Sequence, residues 1–502
     1  VSHRAGARFL LDRSVRRSPD GRVLVGGSPL RVLTLTDSGA VVVDALAAGD
    51  DPTTRSAAAG RLVERFVDLG IAHPVGAGTS GPTDTADATD LDRWAREVTV
   101  VTPCKDELPR HPAWSAASVV VDDGSVPPLF ADGVVPGRAR TVRLARNAGP
   151  GAARNTGLAQ VDTPLVAFVD ADVEVDEAEL ARLVSWFDDL RVALVAPRVR
   201  AVAGPGVLAA FEATRSPLDL GDEPARVAAT TRVSYVPAAV LLCRTAAIRD
   251  VGGFDGSLRY GEDVDLVWRL AAAGWRCRYD PSVEAHHRTR PDLRRWLAQR
   301  FRYGTSAAPL ARRHPGALAP LRMSPWSAAT WVPVAAGLPV VGVTVGVATS
   351  VALVRKLPQV PARESLRLAG LGNLYAGRLW CETLSRAWWP AALVAAALSR
   401  RARRTVAIAW SVPIVLDAVR HLGRRRSRGT ARRSRLDPVR FALLHLADDL
   451  AYGAGVWVGA WRERSVDALL PRFESWPPRR PAPSAPSAPS APSSDAGGAE
   501  LA

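Results

Sequence analysis

The 502-residue chain carries 65 Lys and Arg against 50 Asp and Glu, a formal net charge of +15, and is long enough for two or three domains with sizeable cores. Only Lys105 and Lys356 are lysines, and the arginines crowd into 400–436 beside apolar segments, so the charge points to an anionic membrane surface and away from nucleic acid. Cys104, Cys243, Cys277 and Cys381 lie far apart with no CxxC spacing, which argues against a disulfide frame or structural zinc and for a reducing compartment. The stretch VSHRAGARFLLDRSVRR lacks the apolar core of a secretory signal, so the front of the protein is expected in the cytoplasm.

Residues 8–75 read as a small α+β unit. Strands are expected at Arg8–Asp12 and Arg22–Val25, then a helix capped by Thr36 or Asp37, then a second helix over Arg55–Leu69 that stops at Gly70. Residues 76–95, rich in Gly, Thr and Asp, read as a linker. From 96 to 305 strands alternate with helices, the pattern of a mostly parallel sheet. Val98–Val101 closes on Thr102-Pro103-Cys104, Val119–Val121 on Asp122-Asp123-Gly124-Ser125, and Thr141–Leu144 on a Gly-rich turn ahead of Arg154 and Asn155. Leu165–Val169 closes on Asp170-Ala171-Asp172. Two carboxylates so close repel unless a cation sits between them, and a hard divalent ion (Mg or Mn) that also takes a phosphate oxygen suits the pair. An isolated acid pair would be a polar strand exit; here four polar strand ends share one sheet edge, where open α/β sheets bind ligands. Further strands are expected near Val233–Tyr235 and Ala239–Cys243, and Glu262, Asp263 and Asp265 open an amphipathic helix where the dipole favours carboxylates.

Taken in order, these parts resemble the nucleotide-sugar-binding domain of family 2 glycosyltransferases, a GT-A type α/β fold, over roughly 97–305. The resemblance implies that Asp122 and Asp123 hold base and ribose with Pro103 near the nucleobase. Arg154 and Asn155 would approach the nucleotide phosphates. Asp172 would bind the metal with Asp170 on its ribose side, and His286 would be a third ligand. Asp263 would be the general base, supported by Glu262 and Asp265. Gln299, Arg302 and Tyr303 have the spacing of the QxxRW motif of processive relatives, with Tyr in place of Trp, which would put Tyr303 against an acceptor sugar. The family's helix between the first two strands is replaced by KDELPRHPAWSAAS with Pro109 and Pro112, so a shortened helix or altered loop is expected.

Residues 306–460 read as a membrane-associated helical region. The run 327–354 holds 28 positions without a charge, enough to span a bilayer, and Ala387–Leu398 and Thr405–Ile414 are shorter apolar runs. Residues 477–502, rich in Pro, Ala and Ser, are expected to be disordered. The front unit resembles the winged-helix-like peptide-recognition domain of modified-peptide pathways. Its union with GFD…GEDVDLVWRL and RYGTSAAPLARRHPG resembles the mycofactocin-system glycosyltransferases. That resemblance implies transfer of glucose from UDP-glucose, in β-1,4 linkage, to a peptide-derived redox cofactor precursor, at the cytoplasmic face of the cell membrane. The competing readings are an envelope glycosyltransferase with a lipid-linked or polysaccharide acceptor, and an inactive sugar- or peptide-binding membrane protein.

Overall fold

The computed structural model describes residues 8–75, 88–111, 113–130, 139–202, 204, 206–289, 292–427 and 436–475, without the side chains of 75 and 421–427. The expected linker at 76–87 and the tail at 477–502 lie outside the described residues.

The front unit runs β1 (Arg8–Leu11), β2 (Arg16–Arg17), β3 (Val23–Gly26), β4 (Arg31–Thr34), α1 (Asp37–Ala48), α2 (Ala57–Leu69) and β5 (Ala72–Val75). Thr36 Oγ1 accepts from Gly39 N to start α1, Ser56 caps α2, and Gly70 ends it in the left-handed region. β1 pairs antiparallel with β5, and β2–β3–β4 form a second small sheet. The unexpected β2 and β4 are short and arginine-bearing, so they show no apolar alternation. Phe9, Leu24, Val43 and Phe66 fill the core beneath the helices.

The catalytic-type unit begins earlier than expected. Residues 88–97 are not linker but helix α3 (Ala88–Glu97), whose Trp94 is fully buried and donates from Nε1 to Glu177 at 2.6 Å. A charged helix held by one apolar anchor has too little periodicity to stand out. There follow β6 (Val98–Cys104), β7 (Ala117–Asp122), β8 (Arg140–Arg143), α4 (Pro150–Leu158), β9 (Leu165–Val169), β10 (Val173–Glu174), α5 (Glu177–Ala181) and β11 (Val192–Ala201). The unit continues with α6 (Val207–Glu212), β12 (Ala225–Val227), β13 (Val240–Arg244), α7 (Thr245–Asp250), α8 (Glu262–Ala272), β14 (Arg276–His287) and α9 (Leu293–Thr305).

The sheet order is β10–β14–β11–β13–β9–β6–β7–β8, with β12 also on β14. β9, β6, β7 and β8 are parallel, whereas β13 is antiparallel to both its neighbours, so the sheet is mixed. The strand expected at Val233–Tyr235 is only an isolated bridge from Val233 to Val227; Pro237, without an N–H, stops a ladder there. Buried Val100, Val121, Val166 and Phe168 pack both faces of the parallel half.

Beyond lie α10 (Ala307–Arg313), β15 (Arg322–Met323), α11 (Pro325–Ala335), α12 (Pro339–Lys356), α13 (Ala362–Arg386), α14 (Trp389–Leu398), α15 (Arg400–Ser427), α16 (Pro438–Glu463) and β16 (Arg472–Phe473). The uncharged 28-residue run is not one helix. Gly337, at φ 83°, breaks it into α11 and α12, with Pro339 opening the second. Among the described residues α12 alone is long and apolar enough to cross a membrane, about 27 Å at 1.5 Å per residue. Ala387–Leu398 corresponds to α14, and Thr405–Ile414 lies inside α15. α16 packs on α9 at glycines: a Cβ on Gly304 would stand 2.0 Å from the Tyr452 carbonyl.

Candidate active site

The end of β9 delivers the acid pair. Asp170 N donates to Ala239 O and Val173 N to Asp170 O, so the chain turns at once and both carboxylates leave at the sheet edge. Asp172 Oδ2 lies 3.1 Å from Nε2 of His287. The expected third ligand, His286, is exposed on the opposite side of β14; successive strand residues face opposite ways, and the parity of β14 selects His287.

Among the described residues no three His, Cys, Asp or Glu side chains converge as a ligand set. Asp172 and His287 nevertheless suit a hard divalent ion that completes its shell with diphosphate oxygens and water, since such ions are commonly held by one or two protein ligands plus substrate phosphate.

Several residues expected at the nucleotide instead build the loops around it. Asp122, buried, accepts from Ser125 N at 2.8 Å, Leu129 N at 3.3 Å and Arg143 at 2.6 Å. Asp123 accepts from Ala148 N at 2.7 Å and Gly149 N at 3.0 Å, tying the turn after β7 to the Gly-rich loop. Asn155 does not face a phosphate: its side chain donates to Phe254 O and accepts from Phe254 N. Its carboxamide occupies the place a Cβ on Gly253 would need. Pro103 lies in β6 opposite Val121. The described part of 105–116 is irregular, as its prolines implied.

Arg154 is 3% exposed and stacks over Phe254 at 5.4 Å. It donates to Asp170 at 2.6 Å and to Glu262 at 2.8 Å, so it bridges the acid pair and the first turn of α8 instead of lying open to phosphate. Burial alone would depress its pKa, but Asp170 and Glu262 outweigh that and hold it firmly charged. The carboxyls around it are all pushed upward. Glu262 rises through burial and then through Asp263, Asp263 rises through burial, and Asp170 rises through burial with Asp172 adding to it. One guanidinium stands among three acids that are partly or fully shielded from water, so it stays cationic while they cannot all ionise easily.

Asp263 is half-buried; its Oδ1 accepts from Val264 N at 2.8 Å and its Oδ2 from Ala238 N at 3.2 Å. Asp265 is not a supporting acid. It is buried on another face of α8, paired with Arg269 at 2.7 Å and His314 at 2.8 Å. Two positions along a helix is a rotation of about 200°, which carries Asp265 away from Asp263.

On α9, Gln299 Nε2 donates to Tyr303 Oη at 2.7 Å, and the Tyr303 ring meets Tyr260 edge to face at 6.5 Å. Arg302 points elsewhere and is exposed. Sequence reasoning missed His287 and Phe254. His287 was a matter of strand parity and Phe254 was hidden in the GGFD turn.

The family model described as "Glycosyl transferase family group 2" matches residues 165–415. The Pre-mycofactocin glycosyltransferase of Mycobacterium tuberculosis is 39% identical over 483 residues, covering 94% of this chain and 98% of that protein. The succinoglycan biosynthesis protein ExoU of Rhizobium meliloti is 30% identical over 232 residues, 40% of this chain and 66% of that protein. A mannosyltransferase from Pyrobaculum calidifontis, solved with GDP-Man and Mn2+, superposes at a TM-score of 0.32 and 19% identity, covering 60% of this chain and 90% of that one.

Proposed function

Since the chain belongs to the family 2 glycosyltransferases, in their mycofactocin-system branch, we propose that it transfers glucose from UDP-glucose, in β-1,4 linkage and with inversion, to a peptide-derived redox cofactor precursor. The observation that supports transfer at this site is the continuous path Asp170–Arg154–Glu262 from the donor-side acids to the helix turn that presents Asp263; the choice of sugar, linkage and acceptor follows the likeness to the Pre-mycofactocin glycosyltransferase. The front unit is the natural reader of the peptide, and the C-terminal helices hold the enzyme on the cytoplasmic face of the membrane.

A sugar hydroxyl is a poor nucleophile, and Asp263 takes its proton as the anomeric carbon is attacked. Its raised pKa makes it a stronger base than an exposed aspartate. Two amides orient it, which leaves lone pairs for the acceptor. Asp172 and His287 would hold a divalent ion, which when bound neutralises the departing diphosphate. Arg154 keeps Asp170 and Glu262 in place and lends its positive charge to a site that gathers carboxylates and phosphates. Asp123 and Asn155 fix the Gly-rich loop and the GGFD turn, which shape the donor side and the acceptor side respectively. A single displacement by the acceptor hydroxyl inverts the anomeric centre.

The test is incubation of the full chain with UDP- and GDP-sugars and the peptide-derived acceptor, read by mass. A gain of one hexose only with UDP-glucose supports the reading. Transfer to a lipid-linked acceptor in its place would support the envelope reading, and no transfer with intact UDP binding would make the protein a binder.

A further inference from the structure

The chain has six tyrosines, and four of them, Tyr235, Tyr260, Tyr303 and Tyr452, lie on neighbouring segments: the loop before β13, the turn before α8, α9 and α16. Tyr260 and Tyr303 meet edge to face, and Gln299 fixes the Tyr303 hydroxyl. Gly304 follows Tyr303 and lies against the Tyr452 carbonyl, so α9 and α16 touch there with no side chain between them. Arg386 of α13 lies over the Tyr452 ring at 3.9 Å and is held by Asp449 at 2.9 Å.

Tyr235 sits in a loop pinned to α8 at both ends. Trp268 Nε1 donates to Ser234 O at 2.7 Å, and Ala238 N donates to Asp263 at 3.2 Å. The Tyr235 phenol is within electrostatic reach of Asp263, Tyr452, Tyr303 and Arg386; burial first, then Asp263, push its pKa up, so it remains a donor. All four tyrosines are only partly buried. A cavity of about 620 Å³ is lined by Tyr260 with Arg259, Ser306 and Arg312.

We infer that the C-terminal helices form one wall of the acceptor site, with Tyr235 and Tyr452 as positioning residues that hold a hydroxyl-bearing sugar ring of the acceptor against Asp263. Aromatic faces suit the apolar face of such a ring and phenols suit its hydroxyls. The wall is rigidly placed, because Arg300 of α9 pairs with Asp448 of α16 at 2.8 Å and Arg215, just past α6, pairs with Asp417 of α15 at 3.3 Å. The helical region is thus part of the site as well as an anchor. The inference rests on the glycosyl-transfer reading.

The test gives the full chain UDP-glucose with 4-nitrophenyl β-D-glucoside and follows UDP release with and without the glycoside. Tyr452→Ala and Tyr235→Phe should raise the KM for the glycoside at least tenfold and leave glycoside-independent UDP release within twofold. Tyr452→Phe should restore most of the KM, and Tyr375→Ala, on α13 outside the cluster, should change nothing. An unchanged KM, or UDP release falling in parallel, overturns the inference. If the unmodified protein releases no UDP with the glycoside, the peptide-derived acceptor decides the transfer reading, and saturation-transfer NMR of the glycoside decides the wall: a glycoside signal that disappears in Tyr452→Ala supports it, and one that persists overturns it.

Discussion

Asp263 must be ionised to accept a proton, yet burial favours its neutral form, so its pKa sets the acid limb of the rate profile. A raised pKa means that transfer is lost as pH falls through a value above the ordinary carboxylate range of about 4. Ionised Asp263 pushes Glu262 up, whereas burial and not Glu262 raises Asp263, so Glu262→Gln should leave the acid limb of kcat/KM in place; a limb that moves to lower pH would show that the two groups titrate as a pair. Asp263→Asn should cut kcat by about 10²–10⁴-fold and leave UDP binding intact by calorimetry. At the acid pair, His287→Ala should weaken Mn2+-supported UDP binding by at least about tenfold, as the loss of even an outer-shell partner does, while His286→Ala should leave it unaltered. The residue types at these positions were legible, because acids at strand ends and helix starts announce themselves. Their partners were not. The faces of His286 and His287 depend on a register that only the assembled sheet defines. Asp122, Asp123 and Asn155 look like nucleotide ligands, and Asp265 like a supporting acid, until their polar atoms are found committed to backbone, arginine and His314.

α2, with an apolar face and a glycine stop, and α8, with acids in its first turn and an apolar face, were readable because each local preference agrees with the tertiary role. α3 escaped because one buried tryptophan does the packing for ten residues, and α11–α12 because an uncharged window hides a backbone break at Gly337. The α9–α16 contact was equally invisible, since it depends on glycines a whole region apart. It makes a prediction: Gly304→Ala places a methyl against the Tyr452 carbonyl and should destabilise the protein by about 1–3 kcal/mol. Gly370→Ala in α13, where nothing lies within 4 Å of the new Cβ, should stabilise by about 0.5–1 kcal/mol. Thermal unfolding of the two variants should therefore shift in opposite directions, and matching shifts would show that the helices do not cross as tightly as described.

At the scale of the molecule, buried charges join three parts into one body. Arg276 of β14 reaches Asp189 beside the sheet at 2.6 Å, Asp68 of the front unit at 2.8 Å, and Glu64 of the same helix, and the arginines around Asp448 join the catalytic unit to the helical region. What stays uncovered is apolar: Val340, Val343 and Val347 on α12, Leu393, Val394 and Leu398 on α14, and Ile408 on α15 are exposed. Arg400, Arg401, Arg403 and Arg404 are exposed at the start of α15. An apolar face rimmed by arginine is the surface an anionic bilayer would cover. The full chain should accordingly sediment with phosphatidylserine vesicles and less with phosphatidylcholine ones. Replacing Arg403 and Arg404 by Gln removes about 2 kcal/mol of attraction, about thirtyfold in vesicle affinity, and should erase much of the lipid-charge preference. The pair Val343→Asp and Val347→Asp should release the protein from both kinds of vesicle, because it puts charge where acyl chains would lie. If binding survives that pair but not the arginine changes, the helices touch only headgroups, and the acceptor would then reach Asp263 from water instead of along the membrane plane.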